Sequence, residues 1–310
     1  MTDSLTQTDT ALLFRSVRAA RSWLRARAAG AAGASPVAGC VLMKPGNDEP
    51  PVFMIPGATG SILQLGPIAA AMQIPAPVYA IRPRGMEGDE APFAQLDEMA
   101  SYAIGLMREV RPQGPYLLAG YSAGGLIALE MAQQLTAAGQ GVPLVVLLDT
   151  YPSRAVWPLT CHIDILARQA LKAVWSLSRC GLPQLAGDVS RRLRSLFQYL
   201  TQSGLKLVEP PPLVTEGTDA ASRRVHAATY NAGEAYRPRP YGGHVVFLQP
   251  EETYGLEPRQ PRPVWGKFLA QLTIRRVPGS HLKMVDEGAV DTANEIGRLV
   301  SAALGASLHC

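Results

Sequence analysis

Short apolar runs alternate with longer amphipathic stretches from residue 51 onward. The amphipathic stretches repeat with helical periodicity and predict helices at residues 96–110, 124–138 and 290–304. Most of the apolar runs are apolar on both faces, as strands buried between two helix layers must be. They predict strands at residues 52–55, 78–81, 116–119, 144–148, 244–248 and 273–277. This alternation predicts an α/β fold with a mostly parallel central sheet and helices on both faces.

One interval, from residue 151 to residue 240, interrupts this alternation. It is too long for a loop and contains no convincing strand, but helical patterns recur at residues 163–177, 189–200 and 220–235. We therefore predict a helical insertion, at about residues 152–240, over one edge of the sheet.

The N-terminal part of the chain has a different character. Residues 11–29 form a basic amphipathic pattern, and residues 30–36 have the composition of a linker. Two interpretations remain open: a helix that packs on its own domain or is solvated, or one that contacts a membrane surface or an acidic protein. We predict an N-terminal extension over residues 1–45 and an α/β domain over residues 46–310.

Composition narrows the class of protein. The chain has 310 residues, 47% apolar and 17% charged, with a net charge of +4, which is ordinary for a globular enzyme. No basic block is interleaved with aromatic residues, so we expect no nucleic-acid partner. A membrane partner is disfavoured, because no apolar run is long enough for a span and the N-terminus lacks a secretory apolar block. The four cysteines lack zinc-ligand spacing, which favours free thiols and a cytoplasmic location.

Residues 119–126, A-G-Y-S-A-G-G-L, lie between a predicted strand and a predicted helix. A G-x-S-x-G sequence in that setting is typical of a sharp turn that holds a nucleophilic serine at its apex. Gly120 and Gly124 permit the close approach that the turn requires. Ser122 would then lie at the positive N-terminus of the helix, where the amide of Ala123 can face an oxyanion.

A serine nucleophile needs a base, and the base needs an orienting acid. His281 follows the last predicted strand and is the expected base. Asp149 follows the strand after the serine turn, whereas Glu251 and Glu252 follow the next strand. All three positions are plausible for the acid. The residues favour Asp149 slightly, because a charge at the end of an otherwise uncharged, buried strand needs a partner.

The second oxyanion donor is expected in the loop after the first of these predicted strands. Residues 55–60, I-P-G-A-T-G, contain two glycines that allow the backbone to turn inward. We therefore predict that the amide of Ala58 acts with that of Ala123.

These stretches resemble the thioesterase domains that end polyketide synthases and nonribosomal peptide synthetases. The resemblance covers about residues 40–305 and rests on residues 41–46, 50–57, 120–125, 146–152, 236–243 and 278–284. It implies an α/β-hydrolase fold in which the insertion forms a lid over a substrate chamber. It also implies Ser122 as nucleophile, His281 as base, Asp149 as acid, and the amides of Ala58 and Ala123 as oxyanion hole.

The resemblance further implies a serine thioesterase that releases a polyketide, peptide or fatty acyl chain from a phosphopantetheinyl thioester, by hydrolysis or cyclisation. The partner would be an acyl or peptidyl carrier protein. No metal or organic cofactor is expected, because the pantetheine belongs to the substrate. The basic residues at 11–29, or Arg191, Arg192 and Arg194 in the insertion, are hypothesised to dock that carrier.

Two alternatives stay open. The same residues would serve a carboxylesterase, or an acyltransferase to an external amine or alcohol. A non-enzymatic scaffold that binds acyl chains or partners is disfavoured, because all three catalytic residue types are present.

Overall fold

A parallel-rich sheet organises the chain in the computed structural model, which describes residues 38–87, 90–177, 219–253 and 257–307. Within these residues seven strands form one sheet in the order β1-β3-β2-β4-β5-β6-β7, and only β1 runs antiparallel to its neighbour. The strands are β1 Cys40–Lys44, β2 Val52–Ile55, β3 Val78–Ile81, β4 Leu117–Tyr121, β5 Leu144–Leu148, β6 Tyr241–Pro250 and β7 Leu269–Val277.

Helices cover both faces of this sheet. Alternate side chains of β2 enter opposite cores: Phe53 packs in the core beneath α2 and α3, and Met54 packs in the core beneath α1 and α7. No helix of the described segments combines the length and apolarity needed to cross a bilayer. The helices are α1 Gly66–Ala71, α2 Leu96–Val110, α3 Ala123–Ala137, α4 Leu159–Leu177, α5 Ala220–Ala235, α6 Arg262–Trp265 and α7 Ala289–Ser307.

The predicted sheet is confirmed, with one strand added. Strands lie at all six predicted positions, and the last two are longer than predicted. The additional strand, Cys40–Lys44, lies inside the range 1–45 that was assigned to the extension, so the sheet begins before residue 46. Cys40 packs in one core and Met43 in the opposite core, whereas the other three residues are only half-buried, as expected of a strand at the edge of the sheet. The predicted helix at 11–29 lies outside the described residues.

The interval between β5 and β6 contains α4 and α5, as its helical patterns predicted, whereas the helix predicted at 189–200 lies outside the described residues. Helix α5 packs on α3, and the chain after it is held by the buried carboxylate of Glu130 on α3. Arg239 Nη2 lies 2.7 Å from Glu130 Oε1, and the Tyr236 hydroxyl donates to Oε2 at 2.9 Å. A buried carboxylate requires such partners, so this contact fixes the C-terminal end of the insertion against α3.

Candidate active site

Ser122 lies at the turn between β4 and α3, in a backbone conformation that non-glycine residues rarely adopt. Its φ is 54° and its ψ is −124°, outside the regions that sterics allow for most non-glycine residues. A Cβ on Gly120 would overlap the carbonyl oxygen of Gly124, and a Cβ on Gly124 would overlap that of Pro56. The close approach predicted for the two glycines is therefore present, and the strand turns directly into the helix at Ser122.

Asp149 follows β5 directly and reaches the histidine from the neighbouring strand end. Its Oδ2 lies 2.7 Å from His281 Nδ1, and its side chain is only 9% exposed. The Asp149 amide donates to the Leu248 carbonyl at 2.9 Å, which extends the sheet pairing one residue past β5. On the other side, the buried Trp265 indole donates to the Thr150 carbonyl at 2.9 Å. The backbone on both sides of this carboxylate is therefore fixed.

The two rival acids point elsewhere. Glu251 and Glu252 are both exposed, and Glu252 Oε2 lies 3.1 Å from Lys283 Nζ. Of the three carboxylates considered from the sequence, it is therefore Asp149 that the structure brings to His281.

The Tyr151 phenol lies near Asp149 and adds no negative charge beside its carboxylate. Burial, and to a smaller extent the Asp149 charge, raises the pKa of Tyr151 well above its usual value. The Tyr151 hydroxyl donates to the Pro258 carbonyl at 3.4 Å.

His281 lies in the loop after β7. Tyr121 contacts both the backbone and the ring of this residue. The Tyr121 hydroxyl donates to the His281 carbonyl at 2.9 Å, and the two rings stack with centroids 4.8 Å apart at an angle of 27°. The Ser122 amide donates to the Leu148 carbonyl at 2.9 Å, which holds the serine beside the strand that carries Asp149. Among the described residues, the Ser122 hydroxyl is not a hydrogen-bond partner of the His281 ring in this conformation.

The loop that carries Ala58 lies against the start of α3. Gly124, in the first turn of α3, contacts the Ile55 and Pro56 carbonyls, and the Gly60 amide closes the loop by donating to the Gly57 carbonyl at 2.9 Å. Ala58 and Ala123 are both half-buried, as are Ser122, Asp149 and His281. The five predicted site residues therefore lie in segments that meet at the carboxyl edge of the sheet, between the core and solvent.

Sequence reasoning missed three residues that fix this site. The Thr150 hydroxyl donates to the Ser122 carbonyl at 2.9 Å, and Tyr121 and Trp265 make the contacts described above. Of these three residues, only Tyr121 could have been singled out from the sequence, because it lies inside the serine motif. No group of three or more His, Cys, Asp or Glu side chains suited to a metal occurs in the described part of the chain. The absence of a cofactor stays a prediction.

Comparison with known proteins identifies the class. The strand order, the two helix layers and the strand–serine–helix turn define an α/β-hydrolase fold. Residues 50–299 match the thioesterase domain family model, and the chain belongs to that family. It is accordingly a thioesterase, a hydrolase.

The relatives include a nonribosomal peptide synthase and a polyketide synthase, both of Bacillus subtilis. The chain is 30% identical over 270 residues to inactive atromentin synthetase invA6 of Paxillus involutus, covering 81% of this chain and 27% of that protein. It is 27% identical over 236 residues to a dimodular nonribosomal peptide synthase of Bacillus subtilis, covering 75% of this chain and 10% of that protein. The chain thus spans about a quarter or less of these relatives.

A solved structure gives the same assignment. The chain is similar to the NocB thioesterase domain, solved as a covalent complex with a fluorophosphonate nocardicin G analogue. The TM-score is 0.54 at 25% identity, and the match covers 81% of this chain and 94% of that domain.

Proposed function

We propose that this chain is a serine thioesterase that takes an acyl group from a phosphopantetheinyl thioester on a carrier protein. The observation that carries the proposal is the 2.7 Å contact between His281 Nδ1 and Asp149 Oδ2, at the sheet edge where the turn exposes Ser122. A carboxylate can only accept a hydrogen bond, so Nδ1 carries the proton and Nε2 is left as the acceptor. That tautomer is the one a general base requires.

The chemistry then proceeds in two halves. Ser122 Oγ attacks the thioester carbonyl carbon while His281 Nε2 takes the hydroxyl proton, and the Ala58 and Ala123 amides donate to the oxyanion. Collapse of the tetrahedral intermediate breaks the carbon–sulfur bond, and the imidazolium returns its proton to the departing pantetheine thiolate. Water, or a nucleophile within the acyl chain, then attacks the acyl-enzyme with His281 again as base, which releases the product and restores Ser122.

A pocket that Ile55 lines, just before the loop that carries Ala58, is the candidate site for an acyl chain. Its lining is mostly apolar but includes Arg82 and Arg84, and it comes from the ends of β2 and β3, the segment after β3, and helices α2, α3 and α5. We assign this pocket to the acyl chain, and the insertion at about 152–240 to a lid over it. Carrier docking and a cytoplasmic location remain predictions from the sequence.

Intact-protein mass spectrometry tests the central step. After exposure to a set of acyl-pantetheine thioesters, the wild type should gain one acyl mass, located on the peptide containing Ser122. Ser122→Ala should gain none. Ser101→Ala is the matched control, because the Ser101 hydroxyl bonds to the Asp97 carbonyl and the Gln134 side chain on the helix surface and should not affect acylation. An acyl adduct that persists in Ser122→Ala would contradict the proposal.

Turnover rates and product analysis separate the alternatives. Matched oxygen esters that turn over faster than the thioesters would favour a carboxylesterase. Products that retain an added amine or alcohol would favour an acyltransferase.

A further inference from the structure

Tyr121 precedes the serine and reaches the histidine loop 160 residues further along the chain. Its side chain is 4% exposed and lies on the sheet face that packs against α1 and α7. Its hydroxyl donates to the backbone carbonyl of His281 at 2.9 Å. Its ring lies against the His281 imidazole, with centroids 4.8 Å apart and planes inclined by 27°. One side chain therefore contacts both the backbone and the ring of the proposed base.

The same ring also contacts the loop of the proposed oxyanion hole. A Cβ placed on Gly57 would lie 3.1 Å from Tyr121 Cδ1 and 3.3 Å from Cε1. The ring therefore fills the space between Gly57, which precedes Ala58, and His281. Because the backbone of Tyr121 continues into Ser122, three segments of the site meet at this residue.

These contacts constrain movements that Asp149 alone leaves free. The hydrogen bond at Nδ1 holds one edge of the imidazole, but the ring can still tilt about that bond. The Tyr121 ring, stacked on one face of the imidazole, blocks this tilt. The hydrogen bond from the Tyr121 hydroxyl to the His281 carbonyl fixes the position of the loop backbone. The face of the phenol also attracts a cation, which favours the imidazolium formed when the serine proton is transferred.

We propose that Tyr121 is a positioning residue that orients His281 toward Ser122, with the ring acting on the imidazole and the hydroxyl acting on the loop. The proposal rests on the proposed roles of Ser122 and His281. Misplacement of a reacting group by about 1 Å can lower a rate by about a hundredfold, which sets the expected size of the effect.

Two substitutions separate the contributions of the ring and the hydroxyl. Tyr121→Phe keeps the ring and removes the hydroxyl, and Tyr121→Leu removes both. Tyr116→Phe is the matched control, because the buried Tyr116 also donates to a backbone carbonyl, that of Arg111, at 3.0 Å. Tyr116 stands just before β4, about 16 Å from Tyr121 along the strand, and packs on the other sheet face.

Two readouts report on His281 without an acyl substrate. One is the rate at which a fluorophosphonate labels Ser122, and the other is the far-downfield proton resonance of the His281 Nδ1–H bonded to Asp149. We expect labelling to slow by about a hundredfold in Tyr121→Leu and by about tenfold in Tyr121→Phe, with broadening or loss of the resonance in the leucine variant. With a thioester substrate, kcat should fall while KM stays unchanged. Tyr116→Phe should match the wild type in every readout.

A folded Tyr121→Leu variant with the wild-type labelling rate and an unchanged resonance would overturn the proposal. If the leucine variant does not fold, the phenylalanine variant decides: labelling slower than in Tyr116→Phe supports the proposal, and equal labelling overturns it. Failure of the proposed function looks different. A wild type that is labelled by the fluorophosphonate but cleaves no acyl-pantetheine thioester contradicts the function and leaves the comparison at Tyr121 intact. If the wild type is not labelled, the resonance alone decides for Tyr121.

Discussion

Replacing Asp149 by asparagine removes the carboxylate beside His281 and leaves the backbone undisturbed. Asp149 has a φ of 45°, and asparagine adopts this left-handed conformation more readily than other non-glycine residues do. The two side chains have nearly the same shape, so the amide stays within reach of Nδ1. The change therefore tests the chemistry of the contact rather than the fold.

The expected loss follows from the geometry of the pair. The contact is 2.7 Å long and the Asp149 side chain is 9% exposed, so little water is available to replace the carboxylate. An asparagine that donates to Nδ1 forces the proton onto Nε2, which can then no longer accept the proton of Ser122. In a serine–histidine–aspartate system this change lowers kcat by about 10,000-fold. We expect a loss of about 1,000- to 10,000-fold, or about 4–5.5 kcal/mol at about 1.36 kcal/mol per factor of ten.

The assay measures kcat and KM for a soluble acyl-pantetheine thioester at neutral pH, with thermal unfolding as a check on the fold. KM should stay close to that of the wild type, because the lost interaction acts on the base and not on substrate binding. Glu251→Gln and Glu252→Gln are the controls. The Glu252 carboxylate is 58% exposed beside Lys283, so its loss removes a surface ion pair worth less than about 1 kcal/mol.

The assignment of Asp149 would be refuted by one clear pattern. Asp149→Asn would keep its activity within about tenfold of the wild type, while a glutamine at residue 251 or 252 would lower it by about 1,000-fold or more.

Three further predictions concern the turn, the insertion and the pocket. Gly124→Ala should destabilise the protein by about 1–3 kcal/mol or more in urea unfolding, because its Cβ meets backbone, whereas Gly105→Ala in α2 meets nothing within 4 Å and should stabilise by about 0.5–1 kcal/mol. Equal effects of the two would contradict the steric reasoning. Asp219 caps α5, and the Ser222 amide lowers the pKa of its carboxyl below the usual 3.8. Asp219→Ala should therefore lower the free energy of unfolding by at most about 1 kcal/mol at neutral pH. This loss should shrink as pH falls below 3.8 through the lowered pKa, because the wild-type carboxylate is then protonated too. A loss that grows at low pH would refute this role of Asp219. Met99→Trp narrows the pocket and should lower kcat/KM for long acyl chains about tenfold relative to short ones; an unchanged ratio would show that acyl chains lie elsewhere.

The sheet and the serine turn were predictable because their signals are local. The strand, the small residues and the helix are contiguous around Ser122, and parallel strands bring their carboxyl ends to one edge of the sheet. Asp149 and His281 follow such ends, so topology alone brings them near the serine. The choice between Asp149 and the glutamates was not local, because all three follow strands. The orientation of each side chain decided it.

The contacts that support the site could not be predicted, because they join distant parts of the chain. Tyr121 and His281 are 160 residues apart, and Trp265 reaches Thr150 across 115 residues. Such contacts depend on which side chains face one another across strands, and neither periodicity nor spacing encodes that. Strand β1 was missed because it is a short edge strand with only two buried side chains, and it ends in Lys44.

Two residues of the site, Ser122 and Asp149, have strained backbones, and hydrogen bonds to the ends of neighbouring strands hold both in place. Ser122 and Asp149 each have a positive φ, a conformation that costs about 1–3 kcal/mol at a non-glycine residue and persists only when its surroundings impose it. Each donates its amide to the carbonyl at the end of the next strand, Leu148 or Leu248, and the Thr150 hydroxyl binds the Ser122 carbonyl. Serine and aspartate therefore share β5 as a common support. The relative position of their backbones is therefore fixed through the sheet, without a bond between their side chains.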